Sequence, residues 1–206
     1  MRRSVLVLLG MSFVVASLAA GASAGSLARP SRRSVDPAGA GVEGLTILRI
    51  HAGFSAPTGS FSDNFNTGLG VGANIAYGVS RSVLLSAGVA YHNFNGDGFD
   101  GDATIVPVTF NVESILPSSS TVHPYIGGGF GFYNEERESN AIIVQPSESN
   151  TVSETNTGIN FGAGIGARSG EKDVWAVGFR YHHIFEGDRF SDVDFITLQA
   201  AYGFFL

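Results

Sequence analysis

The sequence predicts an all-β fold: an eight-stranded antiparallel up-and-down transmembrane β-barrel with short periplasmic turns and longer extracellular loops. Three observations lead to this prediction. After residue 44 apolar residues recur with a period of two, not the period of about 3.6 that a helix needs, and they do so in eight separate runs. The connections between the runs are alternately short and long, as in outer-membrane barrels. The chain also begins with an export signal.

Residues 1–24 have the three parts of a secretory signal peptide. Arg2 and Arg3 supply the positive start, residues 5–20 are mostly apolar, and small-residue sites end at Ala24. We expect cleavage after Ala24, and hence a secreted protein of a Gram-negative-type bacterium. The alternative is an N-terminal membrane helix, for which the apolar run is short. Residues 25–44 are rich in Gly, Pro, Ser and Ala, which predicts a flexible periplasmic linker before a barrel domain at 45–206.

The composition narrows the possible functions. The formal net charge is −6, and removal of a leader with two arginines and no acids takes it to −8. An acidic protein lacks the basic face that nucleic-acid binding requires. The chain has no cysteine, which leaves no disulfide and no thiolate chemistry. No phosphate loop or metal-ligand cluster is visible, so the sequence predicts no cofactor and no metal.

Each of the eight runs has one face of large apolar residues and one of small or polar residues. On 68–78, for example, Leu69, Val71 and Ile75 alternate with glycines and Asn74. The runs are 45–56, 68–78, 83–94, 104–116, 123–135, 157–168, 174–185 and 193–206.

The apolar face is predicted to contact lipid, which reverses the arrangement of a soluble barrel. The interior of an eight-stranded barrel is only wide enough for side chains, and the large apolar residues would overfill it. The strand charges lie on the small or polar face, whereas a charge facing lipid at mid-bilayer would cost about 2–4 kcal/mol. With both ends of the domain periplasmic, lipid-facing aromatic residues form two belts of the kind found at membrane interfaces. The lower belt is Tyr77, Trp175, Tyr202 and Phe204, and the upper belt is Phe54, Tyr91, Phe132 and Tyr181.

Several segments resemble the small outer-membrane β-barrel family that includes OmpX-like proteins and the transmembrane domain of OmpA-like proteins. They are 56–61 (APTGSF), 68–72 (GLGVG), 77–78 (YG), 124–129 (PYIGGG) and the aromatic end 202–206 (YGFFL). The resemblance covers about 45–206 and implies that the barrel-assembly machinery reads the last strand. The chain departs from the pattern by ending on Leu206 rather than on Phe.

A second resemblance concerns residues 180–185 (RYHHIF), which look like the seventh-strand motif Arg-Tyr-x-His-x-Ser of outer-membrane lipid A deacylases. The resemblance implies that His183 is the general base and that the nucleophile stands at position 185. Phe185 occupies that position, and it has no hydroxyl with which to attack an ester. The sequence therefore predicts no deacylase activity and no catalytic residue.

Residues 93–102 (NFNGDGFDGD) partly match the calcium-loop pattern, but Thr104 stands where the bidentate Glu belongs. We expect an ordinary hairpin loop, since Asp and Gly are common turn residues.

The inward ionisable residues form the last candidate site. They could line a gated pore or an active site, or they could form an ion-paired structural interior. Because buried charges need partners, the structural interior is favoured. They are Arg49, His51, Glu113, Glu135, Arg168, Arg180 and His182.

The sequence therefore predicts a non-enzymatic outer-membrane protein with a structural or surface-interaction role. It would contact membrane lipid and lipopolysaccharide and bind an extracellular ligand through the loop 137–156, since exposed loops of barrels carry binding functions. The alternatives are a barrel enzyme that acts on lipid and a narrow channel.

Overall fold

The computed structural model describes residues 41–97, 100–139, 151–170 and 172–206 and shows a closed barrel of eight antiparallel strands. Neighbours in the chain are neighbours in the sheet, and β1 pairs with β8 to close it. The predicted fold class is confirmed. The strands are β1 Thr46–Thr58, β2 Gly68–Gly78, β3 Val83–Phe94, β4 Asp100–Ile115, β5 Val122–Ser139, β6 Thr151–Ser169, β7 Asp173–Ile184 and β8 Val193–Phe205.

The predicted signal peptide and the linker up to residue 40 lie outside the described residues. A short 3-10 helix, Gly59–Asp63, follows β1. No helix in the described part of the chain is long and apolar enough to span a membrane.

Four strands are longer than predicted at the end with the long connections, which we call the extracellular end after the predicted orientation. β1 ends at Thr58 instead of 56, and three other strands extend further. β4 begins at Asp100 instead of 104, β5 continues to Ser139, and β6 begins at Thr151 instead of 157. Much of the predicted loop 137–156 is therefore strand. The prediction was wrong because these segments consist largely of Thr, Ser, Asn, Asp and Glu, whose alternation carries no hydrophobic signal.

The connecting residues 140–150, with the apolar patch 142–144, lie outside the described residues.

The outer and inner faces of the barrel wall carry different kinds of side chain. Large apolar side chains such as Val71, Phe130 and Val177 are exposed on the outer surface. At several positions on the inner surface a glycine makes room for a large lumen side chain. A Cβ at Gly164 or Gly178 would lie about 2.5 Å from the Tyr125 hydroxyl, too close for any real contact. The inward glycines thus make space for inward polar side chains.

Large apolar residues nevertheless fill the lumen at both ends, which corrects the expectation of a uniformly small or polar inner face. The extracellular cap is a buried cluster of Phe61, Phe65, Phe94, Ala103, Ile105, Tyr133, Ile184, Val193 and Phe195. The periplasmic cap consists of Val42, Ile47, Ala76 and Leu84, with Ile115, Val174 and Phe205 packed against it. The parity analysis missed the caps because they involve a few inward positions near the strand ends, such as Phe94 and Phe195, and residues outside the strands, such as Phe61 and Val42.

The periplasmic cap includes the residues just before β1. Val42 N–H donates to the Arg81 carbonyl at 3.0 Å, and Gly44 N–H donates to the Gly78 carbonyl at 2.8 Å. These bonds hold the Val42 side chain against the lumen. The last four residues of the predicted linker, 41–44, are therefore docked on the barrel.

Candidate functional site

A charged layer lies in the lumen between the two caps. The Arg49 guanidinium donates two hydrogen bonds to the Glu113 carboxylate, at 2.7 and 2.8 Å, in a bidentate pair. Arg180 approaches the same carboxylate from the opposite wall, with an N–O distance of 3.7 Å. Of the seven predicted inward residues, these three share one ion-paired group, as buried charges require.

Amide and hydroxyl groups complete this layer. Arg49 Nε donates to Asn74 at 2.8 Å, and Arg180 donates to Asn111 at 3.1 Å and to Asn160. Sequence reasoning did not select these asparagines. Their inward parity was visible, but only the register of the strands shows which of them meet an arginine. Arg49 lies directly opposite Asn74 on the neighbouring strand, and Arg180 reaches Asn111, 69 positions away in the chain.

Two further predicted residues, His51 and His182, also lie in the lumen. His182 is buried, its Nδ1 is 3.1 Å from the Tyr133 hydroxyl, and its ring stacks on Phe195 with centroids 4.4 Å apart. His92, which the sequence analysis did not select, lies beside it with ring centroids 5.7 Å apart. These contacts connect the charged layer to the extracellular cap.

The lumen contains a serine–histidine pair, although no such pair was visible in the sequence. Ser55 Oγ is 2.8 Å from His92 Nδ1 and 3.0 Å from the Thr197 hydroxyl. Ser55 is 0% exposed and His92 is 3% exposed, beneath Phe94 and Phe195. The pair is thus closed off from solvent, and its visible contribution is to packing and hydrogen bonding in the lumen.

The other two predicted lumen residues lie apart from the charged layer. Glu135 is near the extracellular cap, where it accepts hydrogen bonds from Arg137 at 3.2 Å and Asn156 at 3.1 Å. Arg168 is at the periplasmic end, with its guanidinium carbon 4.6 Å from the centre of the Phe205 ring. The seven residues therefore do not form a single site.

The predicted aromatic belts lie on the outer surface. In the lower belt, Tyr202 contacts Trp175 with ring centroids 4.4 Å apart and Phe204 with centroids 4.6 Å apart. In the upper belt, Phe54 and Phe132 are among the most exposed aromatic side chains of the described chain. Tyr77, Tyr91 and Tyr181 also face outward on their strands.

His183 lies on the outer wall near the upper belt. Its Nδ1 is 2.8 Å from the Asp194 carboxylate, which also accepts a hydrogen bond from the Tyr181 hydroxyl. An oriented histidine of this kind is one half of a hydrolytic site. Position 185, where the motif has its nucleophile, holds Phe185, which has no hydroxyl and packs edge-on against His183 with ring centroids 5.0 Å apart.

The calcium-like segment has turn contacts in the part that is described. Asp102 accepts a hydrogen bond from the Gly96 N–H at 3.3 Å, so this carboxylate stabilises the hairpin. Within residues 41–97, 100–139, 151–170 and 172–206, no group of three or more His, Cys, Asp or Glu side chains has the geometry of a metal site.

Beyond the upper belt, β4, β5 and β6 continue as a largely polar sheet, which we call the extracellular sheet (residues 100–102, 134–139 and 151–156). Its inner side holds the connection between β7 and β8. The Glu154 carboxylate accepts the backbone N–H of Asp188 at 2.7 Å and those of Arg189 and Phe190 at 3.2 Å. Arg137 packs on Phe190, with 4.2 Å from its guanidinium carbon to the ring centre. These contacts fold the connection inward over the mouth of the barrel.

We call the three hydrogen bonds from Asp188, Arg189 and Phe190 to the Glu154 carboxylate the Glu154 clamp. These bonds favour the ionised form of the carboxyl group. Desolvation acts to raise the pKa of this carboxyl, but the backbone hydrogen bonds from Asp188 and Arg189 outweigh it and hold the pKa below its ordinary value. The carboxylate is therefore ionised, and accepts these bonds, throughout the neutral range.

A closed eight-stranded wall with apolar outer residues, aromatic belts and a charged lumen defines a small transmembrane barrel of the bacterial outer-membrane type. The chain matches the model of the outer membrane protein beta-barrel domain over residues 12–204, and it belongs to that family. The family resemblance noted in the sequence is confirmed. None of the curated proteins compared with the chain matches it.

Solved structures show the same fold at low sequence identity. Neisserial surface protein A (NspA) is 15% identical with a TM-score of 0.61, over 79% of this chain and 99% of NspA. Ail, the attachment invasion locus protein of Yersinia pestis, is 15% identical with a TM-score of 0.53, over 80% and 99%. OprG from Pseudomonas aeruginosa is 11% identical with a TM-score of 0.51, over 81% and 98%.

Proposed function

We propose that this protein is a non-enzymatic outer-membrane protein that binds extracellular partners through its extracellular sheet and the loops around it. The observation that carries the proposal is the contrast between lumen and exterior. Apolar caps occupy the lumen at both ends, with Phe94, Tyr133, Ile184 and Phe195 fully buried in the extracellular cap. The outer side of the extracellular sheet, by contrast, is exposed, for example at Thr151, Ser153 and Thr155. Exposed segments of this kind on a rigid scaffold commonly carry binding functions.

The two alternatives are less well supported. A channel needs a continuous polar path, whereas apolar side chains interrupt the polar lumen at two levels. A lipid-hydrolysing enzyme needs a nucleophile beside His183, where Phe185 stands.

The charge of the extracellular side favours a protein partner over an anionic polysaccharide. Acidic side chains there outnumber two arginines, of which Arg137 already pairs with Glu135. The acids at the extracellular end, in the strand ends and in the connections, include Asp63, Asp97, Asp102, Glu136, Glu138, Glu186, Asp188 and Asp192. The structure of Ail was solved with a heparin analogue, sucrose octasulfate. We expect the present protein to repel such a ligand.

The proposal also covers how the protein is exported and which membrane components it contacts. We propose that the signal peptide is removed after Ala24, that the barrel-assembly machinery inserts the chain, and that the aromatic belts contact membrane lipid and lipopolysaccharide. The aromatic alternation of β8, with Tyr202 and Phe204 exposed to lipid, is the feature that such machinery would read.

The test compares fluorescent outer-membrane vesicles that carry either the wild type or a variant in which residues 136–154 are replaced by a short turn. We expect wild-type vesicles to bind a surface coated with a basic extracellular protein several-fold better than vesicles with the variant, and not to bind a heparin coat. Heat-dependent gel mobility of both proteins provides the control for folding. Equal binding by the two vesicles, or steady ion conductance by the wild type in planar bilayers, would contradict the proposal.

A further inference from the structure

The charged layer of the lumen has more positive than negative charge. Between the two caps, the described chain places the guanidinium groups of Arg49 and Arg180 and the single carboxylate of Glu113. Both guanidinium groups approach that carboxylate, and their other side-chain partners are neutral amides. The layer therefore carries one excess positive charge, and protonation of a lumen histidine would add to it. Because a buried charge without a counter-ion is costly, the excess favours an anion nearby.

Buried polar nitrogens without a partner lie on the extracellular side of this layer. Asn160 is 3% exposed, and its Oδ1 accepts a hydrogen bond from Arg180, which can only donate. That contact fixes the orientation of the amide, and its Nδ2 has no hydrogen-bond partner among the described residues. In buried His92, Nδ1 contacts Ser55, and Nε2 likewise has no partner there. His51 Nδ1 is a third such atom.

The strand register places these nitrogens around one part of the lumen. Asn160 lies opposite His182 on β7, and the centroids of the His182 and His92 rings are 5.7 Å apart. His92 and His51 lie against successive inward glycines of β2, where a Cβ would be 2.5 Å from each imidazole. The three nitrogens therefore belong to side chains that are neighbours across the lumen, although they come from β1, β3 and β6.

Space for a small ligand adjoins the two arginines. The side chains of Arg49 and Arg180 are 14% and 15% accessible to water. Above them, Phe94, Tyr133 and Phe195 of the extracellular cap are 0% exposed. The accessible surface of the arginines therefore lies inside the wall and not at the extracellular mouth. Such a space admits an ion that is little larger than a water molecule.

We propose that the lumen binds a small monovalent anion of the chloride class beside Arg180. The anion accepts hydrogen bonds from Asn160 Nδ2 and from the imidazole nitrogens His92 Nε2 and His51 Nδ1, each of which turns an N–H toward it. A water molecule could accept hydrogen bonds from the same groups but would leave the excess charge of the layer unbalanced. An anion meets both needs, because it supplies the second negative charge that Glu113 alone does not provide.

The experiment follows the mature protein in lipid nanodiscs while sodium chloride replaces sodium gluconate at constant ionic strength. Gluconate serves as the reference anion because it is too bulky for the space beside the arginines. We expect the NMR signals of the Asn160 side-chain amide and the His92 imidazole to shift with chloride and to saturate. The unfolding rate in urea should fall several-fold over the same range, since a ligand that binds only the folded protein stabilises it. The side-chain amide of Asn134, which contacts Thr155 outside the lumen, should not shift.

A matched pair of variants distinguishes a bound ion from a general effect of salt. Asn160→Asp places a fixed carboxylate beside Arg180, and it should abolish both the saturable shift at His92 and the chloride dependence of the unfolding rate. Asn134→Asp adds the same charge outside the lumen and should retain both. If Asn160→Asp fails to fold, crystals of the wild type grown in sodium bromide still test the site. We expect an anomalous bromide signal between Asn160 and Arg180.

Three outcomes would overturn the anion site. The first is a set of lumen signals that do not move, or that move in proportion to salt without saturation. The second is an equal chloride dependence of unfolding in the wild type and in Asn160→Asp. The third is a bromide signal confined to the outer surface, which would mean an adventitious ion only. None of these measurements involves the extracellular sheet, so they leave the test of partner binding by vesicles independent.

Discussion

The two ends of the lumen are closed by different means. The extracellular cap has nine buried residues, including four phenylalanines and Tyr133, drawn from long strands and from the segment after β1. The periplasmic cap has four buried residues and is completed by Val42, which the chain brings in before the first strand. Long connections fold back over a barrel mouth, whereas turns such as 79–82 are too short to do so. The end with short turns therefore recruits a segment from outside the barrel.

The charged layer lies between the two caps and fixes the centre of the lumen. Arg49, Glu113 and Arg180 lie between two apolar clusters, where water is largely excluded and ion pairing is strong. The caps and the layer together give a rigid interior, and three perturbations test how the parts contribute.

Loss of the shared carboxylate is expected to have the largest effect. Glu113→Leu leaves two buried guanidinium groups without their counter-ion and should lower the free energy of unfolding by about 3–5 kcal/mol. Urea unfolding in vesicles, followed by tryptophan fluorescence and gel mobility, measures it. The double variant Arg49→Met, Glu113→Leu removes a charge from each side and should lose less. A single variant as stable as the wild type would show that the layer contributes nothing.

The caps themselves are compared by matched truncations. Phe195→Ala creates a cavity in the fully buried extracellular cap and should cost about 3 kcal/mol or more, within the usual range for buried phenylalanine. Phe205→Ala at the half-buried periplasmic cap should cost roughly half as much, since the site is closer to solvent. The same unfolding assay applies. Equal losses at the two positions would mean that both caps pack equally well.

The smallest effect concerns the clamp above the extracellular cap. The pKa of Glu154 is lowered in the folded protein, so its contribution is present above the ordinary pKa of 4.5 and is lost as the pH falls through the folded value. We expect amide exchange at Asp188 and Arg189, corrected for the intrinsic rate, to accelerate only below pH 4.5. Glu154→Ala should show the faster exchange at neutral pH, and Glu138→Ala should not. An unchanged exchange rate in Glu154→Ala would show that the Glu154 carboxylate does not hold the β7–β8 connection in place.

The sequence by itself determined the fold class, the number of strands and the face that contacts lipid. A period of two is a local property, and a lipid solvent requires large apolar residues at alternate positions over each whole strand. Accordingly β2 and β3 begin and end where predicted. The sequence also placed Arg49, Glu113 and Arg180 on the inner face, because the parity of a strand is readable without its neighbours.

Tertiary structure alone decided which of these residues meet. Arg49 and Glu113 are 64 positions apart and pair only because β1 and β4 face each other across the lumen. The caps, the buried contact between Ser55 and His92 and the inward fold of the β7–β8 connection also depend on contacts between strands distant in the chain.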